Sequence, residues 1–546
     1  MIRALHAVRA LLPSRAEYRE VPKSWRRDLL AGVTVGIVAL PLALGFGISS
    51  GAGAAAGLIT AIVAGVIAAV FGGSNVQVSG PTGAMVVVLA PIVASNGMGA
   101  VAIVSLMAGV IVVIAGIARL GRAVSFIPWP VIEGFTLGIA VIIFLQQVPA
   151  LTGPATHGGS HTNVVLAAFD ALASADLGYL LWALGAVVIV AGCMLLLPRL
   201  HPAIPGSLVG VILVTLLTLV VSDPLAVIGA LPASLPVPSL PALDIGTLSS
   251  LLLPALTVAA LAAIESLLSA RVAASLADTG PYDPDRELFG QGLASIGSGL
   301  FGGMPATGAI ARTAVNVRAG ARTRLAAIVH ALVLLLVVVA VAGPVGAIPL
   351  AALSGVLMVT AIRMVHLATA RSILRSTRAD AVAYIVTAIV TVSVDLIVAV
   401  VIGMIVAAIF ALRGLARATG VQREPILGDP EPGDERIAII RLDGPLFFAA
   451  ADRVLAEVTS LDDVSVVVLR MSQLELVDAT GAHVLGEIVQ QLERRGVTVL
   501  IKGVREGHVE LFRTVGVLGS LRHQNHLFVD LPAAIEHARS HVVREP

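Results

Sequence analysis

Two charged side chains stand inside otherwise apolar sequence: Glu265 in Ala263-Ile264-Glu265-Ser266-Leu267 and Arg312 in Ala309-Ile310-Ala311-Arg312-Thr313. A carboxylate at the centre of a membrane-spanning helix costs on the order of 3 kcal/mol on insertion scales, so one retained there is a functional candidate. Desolvation penalises its ionised form, which makes Glu265 a candidate proton carrier. The competing reading is a carboxylate paired permanently with an arginine or bonded to helix-end amides. Arg312 stands about one turn into a helix, with Asn316 at i+4 on the same face. A fixed guanidinium beside free helix N-terminal amides makes a positive pocket suited to a small anion. An anchor at the helix end, like Arg318, is the alternative for Arg312.

Arg312 belongs to a pattern that occurs twice. Phe71-Gly72-Gly73 closes one apolar run and Phe301-Gly302-Gly303 another, and a short stretch then leads to Thr82-Gly83-Ala84 and to Thr307-Gly308-Ala309. Such paired helix breaks point to a transport site, because half-helix N-termini can face a solute at mid-bilayer. The candidate ligands are therefore Thr82 and Gly83 at one start, and Ala309, Ile310 and Arg312 at the other. Thr82 and Thr307 can bond an anion with their hydroxyls or simply cap the helices. Pro41 bends the first run, and Phe46 then lies beside the site or is plain packing. Glu133 and His330 are second-choice titratable groups for which interfacial or structural roles are expected.

With 57% hydrophobic and 13% charged residues, the chain has the composition of a polytopic membrane protein rather than a soluble domain. A formal net charge of +1 gives no nucleic-acid footprint, so no nucleic-acid partner is expected. The single Cys193 excludes an intramolecular disulfide and a cysteine zinc cluster. His157 and His161 read as a solvated loop, and no metal or other cofactor is expected. No P-loop, catalytic triad or metalloprotease motif occurs, so neither an ATP-driven pump nor an enzyme is indicated.

The apolar runs number fourteen, in two sevens: about 29–49, 54–71, 81–96, 98–118, 128–148, 178–198 and 204–221, then 251–277, 288–302, 307–318, 323–343, 348–366, 380–393 and 396–413. The runs at 81 and 307, which follow the breaks, are short for a span. Arg3, Arg9, Arg15, Arg19, Lys23, Arg26 and Arg27 mark the N-terminal segment 1–28 as cytoplasmic and not a cleavable signal. Counting on from there, cytoplasmic turns hold Arg119, Arg122, Arg199, Arg286, Arg318, Arg322, Arg324, Arg371, Arg375 and Arg378, whereas the outer loops at about 149–177, 222–250 and 344–348 hold no Lys or Arg. A miscount by one span would reverse that asymmetry. Seven is odd, so the second repeat is inverted. The expected organisation is repeat 1 at 29–221, an outer linker at 222–250, repeat 2 at 251–414, a linker at 415–434 and a cytosolic domain at 435–546.

That last domain alternates strands (Ile437–Leu442, Val464–Leu469, Val497–Lys502) with helices (Ala482–Arg494, Ala533–Ser540), which predicts a compact α/β fold. Asp478 and Thr480, in Val477-Asp478-Ala479-Thr480-Gly481, form either an N-cap or a phosphate-accepting, regulatory loop.

These residues resemble the SulP family of anion transporters with a C-terminal STAS domain. The matching stretches include Asp28-Leu29-Leu30-Ala31-Gly32, Leu40-Pro41-Leu42-Ala43-Leu44, Val78-Ser79-Gly80-Pro81-Thr82, Ala263-Ile264-Glu265-Ser266-Leu267-Leu268, Ala309-Ile310-Ala311-Arg312-Thr313, Asn316-Val317-Arg318-Ala319-Gly320 and Asp478-Ala479-Thr480-Gly481. The resemblance implies a polytopic α-helical fold of 14 segments as a 7+7 inverted repeat with core and gate domains, a cytosolic STAS domain, an anion site between the third and tenth spans, elevator-like movement and a homodimer. Sodium-coupled bicarbonate carriers of the family have Asp and Thr where this chain has Glu265 and Ser269. The Glu form is more similar to the branch taking C4-dicarboxylates with protons. The expectation is a secondary transporter of small anions (sulfate, bicarbonate, or fumarate and succinate) in a bacterial inner membrane, with protons as the coupling partner. An uncoupled anion channel, a sodium-coupled bicarbonate carrier and a membrane-tethered signalling protein are the alternatives.

Overall fold

The computed structural model of the chain describes residues 9, 11–153, 163–201, 204–221, 224–241, 245–276, 278–394, 396–427 and 429–544. His157 and His161 lie outside the described residues. The chain divides into two compact units, Met1–Met404 and Ile405–Pro546.

The fourteen apolar runs become fourteen helical segments. The first seven are α1 (Val21–Ser49), α2 (Ala54–Phe71), α3 (Gly83–Asn96), α4 (Gly99–Ile117), α5 (Trp129–Gln146), α6 (Leu177–Leu200) and α7 (Gly206–Val220). The second seven are α8 (Ile245–Leu276), α9 (Pro284–Leu300), α10 (Ile310–Arg318), α11 (Leu325–Gly346), α12 (Leu350–Met364), α13 (Arg378–Ser393) and α14 (Leu396–Ala418). Among the described residues, nine helices are long and apolar enough to cross a membrane. The segments after the breaks, α3 with 14 residues and α10 with 9, are too short to do so alone.

The packing repeats with two-fold symmetry. Helix α1 lies on α11 as α8 lies on α4; α9 lies on α4 as α2 lies on α11; α5 lies on α13 as α12 lies on α6. Two groups result. Segments 1–4 and 8–11 form the core and enclose the two breaks, while α5–α7 with α12 and α13 form the gate. Even the accessory helices obey the repeat, since Val164–Ala173 follows segment five and Leu367–Arg375 follows segment twelve.

Several bounds differ from the sequence expectation, each for a local reason. Helix α1 starts at Val21, ahead of the apolar run, with Pro22 in its first turn where a missing N–H costs nothing. Helix Val164–Ala173 interrupts the stretch predicted as an outer loop, capped by Asn163, whose side chain accepts from Val165 N at 2.9 Å. Helix α8 begins at Ile245, inside the stretch predicted as linker.

The second unit holds a five-stranded sheet in the order β3 (Gly420–Glu424), β4 (Ile437–Leu446), β5 (Val466–Val477), β6 (Thr498–Lys502), β7 (Leu527–Phe528), with β3 antiparallel and the rest parallel. Strict alternation along the strands separates two cores. Ala438, Ile440, Val467, Leu469, Val499 and Ile501 meet helices α15 (Ala451–Thr459), α16 (Ala479–Arg494) and α17 (Glu506–Val515). Ile437, Ile439, Val466, Val468 and Leu500 meet Ala534, Ala538 and Val542 of α18 (Leu531–Arg544). Strand β3 falls within 415–434, the stretch expected to be linker. Its charged residues Arg423 and Glu424 conceal it in the sequence, and Glu424 is paired there with Arg441 and Arg470 at 2.8 and 2.7 Å.

Candidate functional site

Each break is held open by side chains, including some from the other repeat. After Phe71 the carbonyls of α2 lack helical partners, and buried cations supply them: Arg324 Nη1 donates to Ala69 O at 3.1 Å and Gly72 O at 2.7 Å, and Arg286 Nε to Phe71 O at 3.2 Å. Glu287 accepts from the amides of Gly73 and Ser74 at 2.8 and 3.3 Å. A side chain at Gly73 would place its Cβ 1.9 Å from Asp283 O, so only glycine fits. The second break uses hydroxyls instead. Thr60, in a π-helical stretch of α2 (Thr60–Ala64), accepts from Met304 N at 2.8 Å, and Ser298 donates to Met304 O at 2.7 Å.

The two extended stretches then cross as a minimal antiparallel sheet, β1 (Ser79–Gly80) against β2 (Thr307–Gly308), with Ser79 opposite Gly308 and Gly80 opposite Thr307. This register delivers Thr82 and Thr307 to one place. Thr82 Oγ1 donates to Glu265 Oε2 at 2.7 Å and Thr307 Oγ1 to the same oxygen at 2.8 Å, the two hydroxyls being 3.0 Å apart. Neither threonine caps its helix with its side chain: Thr82 is the N-cap of α3 without such a bond, and the N-cap of α10 is Ala309. Thr82 and Thr307 are buried while Glu265, on α8, is partly exposed.

Arg312 is 2% exposed. Its Nη2 donates to the Pro81 carbonyl, and Nη1 has no hydrogen-bond partner. Among the described residues no ion pair joins Arg312 to Glu265, so the carboxylate is not locked to the arginine. Gly80 permits this placement, since a Cβ there would stand 2.8 Å from Arg312 Nη1. At the start of α3, Gly83, Ala84 and Met85 supply amides without intrahelical acceptors, the first closing bond being Val86 N to Thr82 O at 3.3 Å. Ile310 and Ala311 supply their counterparts on α10. Phe46 lies against this point, 3.4 Å from where a Cβ of Gly83 would be.

One predicted ligand is corrected. The amide of Ala309 donates to Val78 O at 2.8 Å because the β1–β2 register aligns them, so it is not available to an anion. Asn316, though on the face of Arg312, is spent on Val76 O at 2.8 Å. Ser269 faces Thr313 at 3.2 Å. Glu133 accepts from Trp129 Nε1 at 3.2 Å on an exposed stretch, and His330 is fully buried. In the second unit Asp478 caps α16, accepting from Gly481 N at 2.7 Å, and also accepts from Phe448 N at 3.2 Å; Thr480 is exposed.

Sequence reasoning missed the clamp that sets this geometry. Arg286 and Arg324 read as ordinary cytoplasmic-turn charges, yet both are buried and share Glu17, at 2.5 and 3.0 Å. Asp28 is fully buried and accepts from Arg322 N, Thr323 N, Ser24 Oγ and Thr323 Oγ1 at 2.6 to 3.0 Å. Its position within α1, directly before the apolar run at 29, was the available signal, since a buried carboxylate needs partners.

Crossed half-helices with a carboxylate and a guanidinium between inverted repeats, followed by a separate α/β unit, define a solute carrier with a C-terminal α/β domain. The chain belongs to the sulfate permease family, which matches residues 25–387, and carries a STAS domain at 432–534. It is thus a multi-pass anion transporter of the SulP type and not an enzyme. YvdB of Bacillus subtilis (strain 168) is 34% identical over 519 residues, covering 92% of this chain and 96% of that protein. The solved transmembrane domain of a cyanobacterium bicarbonate transporter, BicA, is 31% identical, with a TM-score of 0.62, covering 72% of this chain and 98% of that one. The murine anion transporter Slc26a9 in its inward-facing state shares the fold at 18% identity, with a TM-score of 0.83 over 98% of this chain and 94% of that one.

Proposed function

We propose that this protein is a proton-coupled symporter of small oxyanions or carboxylates, with Glu265 as the proton site and Arg312, Thr82, Gly83 and Ile310 as the anion site beside Phe46. One observation carries the proposal: Thr82 and Thr307, at the starts of two opposed half-helices, both hold their hydroxyls within hydrogen-bond distance of a single oxygen of Glu265 and of each other. While Glu265 is ionised it consumes the donors that an anion needs. Protonation of Glu265 releases those donors and removes a negative charge from the pocket, so proton and anion each favour the other's binding. Arg312 Nη1 and the amides of Gly83, Ala84, Ile310 and Ala311 then complete a positive site.

Movement between access states is proposed to be elevator-like, the core shifting against the gate. Supporting this, the pairings within each group described above come in two-fold related sets, whereas the contacts between the groups do not. Helix α1 touches α12 and α3 touches α5, while the symmetry mates α8 with α5 and α10 with α12 lack comparable contact. A boundary closed on one side only is what one end state of an alternating-access carrier requires. The proposed setting is a bacterial inner membrane, as a homodimer, with the N-terminal segment and the STAS domain in the cytoplasm, in keeping with the positive-inside charge pattern.

The anion classes are sulfate, for which the family is named, bicarbonate, named for BicA, and C4-dicarboxylates such as fumarate. Uptake of each labelled anion into proteoliposomes, with and without an inward proton gradient, tests the proposal. Accumulation of at least one under the gradient is expected, and uptake of all three indifferent to it overturns proton coupling. A bicarbonate carrier is the second reading, favoured by the identity to BicA, with sodium as the alternative coupling ion. It predicts bicarbonate accumulation under a sodium gradient alone.

A further inference from the structure

Four of the 12 histidines fall between positions 523 and 541. His526, at the entrance to β7, is 1% exposed, and its Nδ1 has no hydrogen-bond partner. Helix α18 packs on the same side of the sheet and brings up His537 and His541, one turn apart on a single face. Their ring centroids lie 5.5 and 5.3 Å from that of His526, and 4.9 Å from each other.

Ligand atoms of all three rings lie within 4.8 Å of one another, and Nε2 of His537 and Nε2 of His541 are 3.3 Å apart. Tetrahedral bonds of about 2.0–2.1 Å from zinc to imidazole put neighbouring ligand nitrogens roughly 3.3 Å from each other. The α18 pair therefore already has the spacing of two corners around one ion, and the third ring offers a ligand atom within 4.8 Å of theirs and carries one unsatisfied, buried nitrogen. Such an orphan is costly to bury unless something coordinates it.

We propose that His526, His537 and His541 form a divalent transition-metal site that takes Zn(II) through three imidazoles. A fourth position is open to water or to the exposed His523, whose ring centroid is 5.3 Å from that of His526. The donor set is imidazole only, which suits Zn(II) and disfavours Mg(II) or Ca(II). A bound ion would tie the last helix of the C-terminal domain to the edge of its sheet.

The test uses the full-length protein without a polyhistidine tag, stripped by a chelator and titrated with Zn(II), then with Co(II) as a spectroscopic probe. One equivalent of zinc is expected to bind, and Co(II) is expected to show the intense visible bands of a four-coordinate ion. The His537→Gln/His541→Gln double variant is expected to bind more than about a hundredfold more weakly, beyond the 10–100-fold typical of losing an outer-shell partner. His483→Gln, at an exposed site on α16, is expected to bind as wild type does. Zinc affinity equal in wild type and the double variant overturns the site. Should the double variant fail to fold, the single variants His537→Gln and His541→Gln decide the matter, and wild-type affinity in both overturns it.

Discussion

Thr82 Oγ1 donates to Glu265 Oε2 at 2.7 Å across 183 residues of sequence, joining the start of α3 to the middle of α8. The bond explains why a threonine at an N-cap leaves its helix uncapped: the hydroxyl is committed to a carboxylate whose protonation state would decide whether it can serve an anion. Thr82→Val keeps the branched shape and removes the donor. A hydrogen bond to a charged group contributes about 1.5–3 kcal/mol, so the variant should raise the KM for anion uptake roughly tenfold or more. Initial-rate uptake against anion concentration measures this.

Gly80→Ala should disturb the site without replacing any ligand. Its Cβ would meet Arg312 Nη1 at 2.8 Å and force the guanidinium from the Pro81 carbonyl. Anion affinity, read by isothermal titration on purified protein, should fall, by no more than the loss expected of Arg312→Gln. Unchanged affinity would show that the guanidinium does not face the anion.

Glu17 makes the clamp around the first break acid-sensitive. Burial alone raises its carboxyl group, but Arg286, Ser14 and Arg324 more than offset this and hold it at about 2, against an ordinary 4.5. A carboxylate depressed by folding contributes stability in full above its ordinary value and loses it as pH falls toward 2. Solvent screening of this partly exposed group keeps that contribution well below the roughly 3 kcal/mol that the full shift would give. Glu17→Gln should therefore lower the melting temperature at pH 7, and the gap from wild type should narrow as pH falls below 4.5. A gap that is constant with pH would contradict the assignment.

Asp478 is expected to act through α16. Asp478→Ala removes the bond to Gly481 N and should destabilise the C-terminal unit by about 1 kcal/mol. Hydrogen exchange in the full-length protein should speed up in the first turn of α16 while α3 and α10 are unaffected.

Much of this architecture was legible because it rests on local signals. Phe71-Gly72-Gly73 and Phe301-Gly302-Gly303 announce their breaks, the arginine asymmetry orients the repeats, and Glu265 and Arg312 stand out against apolar neighbours. What stayed hidden depends on partners far along the chain. Whether Thr82 and Thr307 cap or coordinate is decided by Glu265, and whether the Ala309 amide is free is decided by Val78, which only the β1–β2 register brings near. Arg286 and Arg324 look like turn residues until the carbonyls of Phe71, Ala69 and Gly72 are placed beside them. Strand β3 is short and charged, so it carries no apolar alternation to read.

The central claim, that a proton bound at Glu265 travels with the anion, is tested most directly by proton entry itself. Proteoliposomes containing a pH-sensitive dye receive external sulfate or fumarate, whichever the wild type accumulates, at zero initial gradient. Wild type should acidify the lumen as the anion enters, and Glu265→Gln should still exchange labelled anion while the lumenal pH stays constant. Acidification by Glu265→Gln equal to wild type, at equal anion flux, would contradict the account.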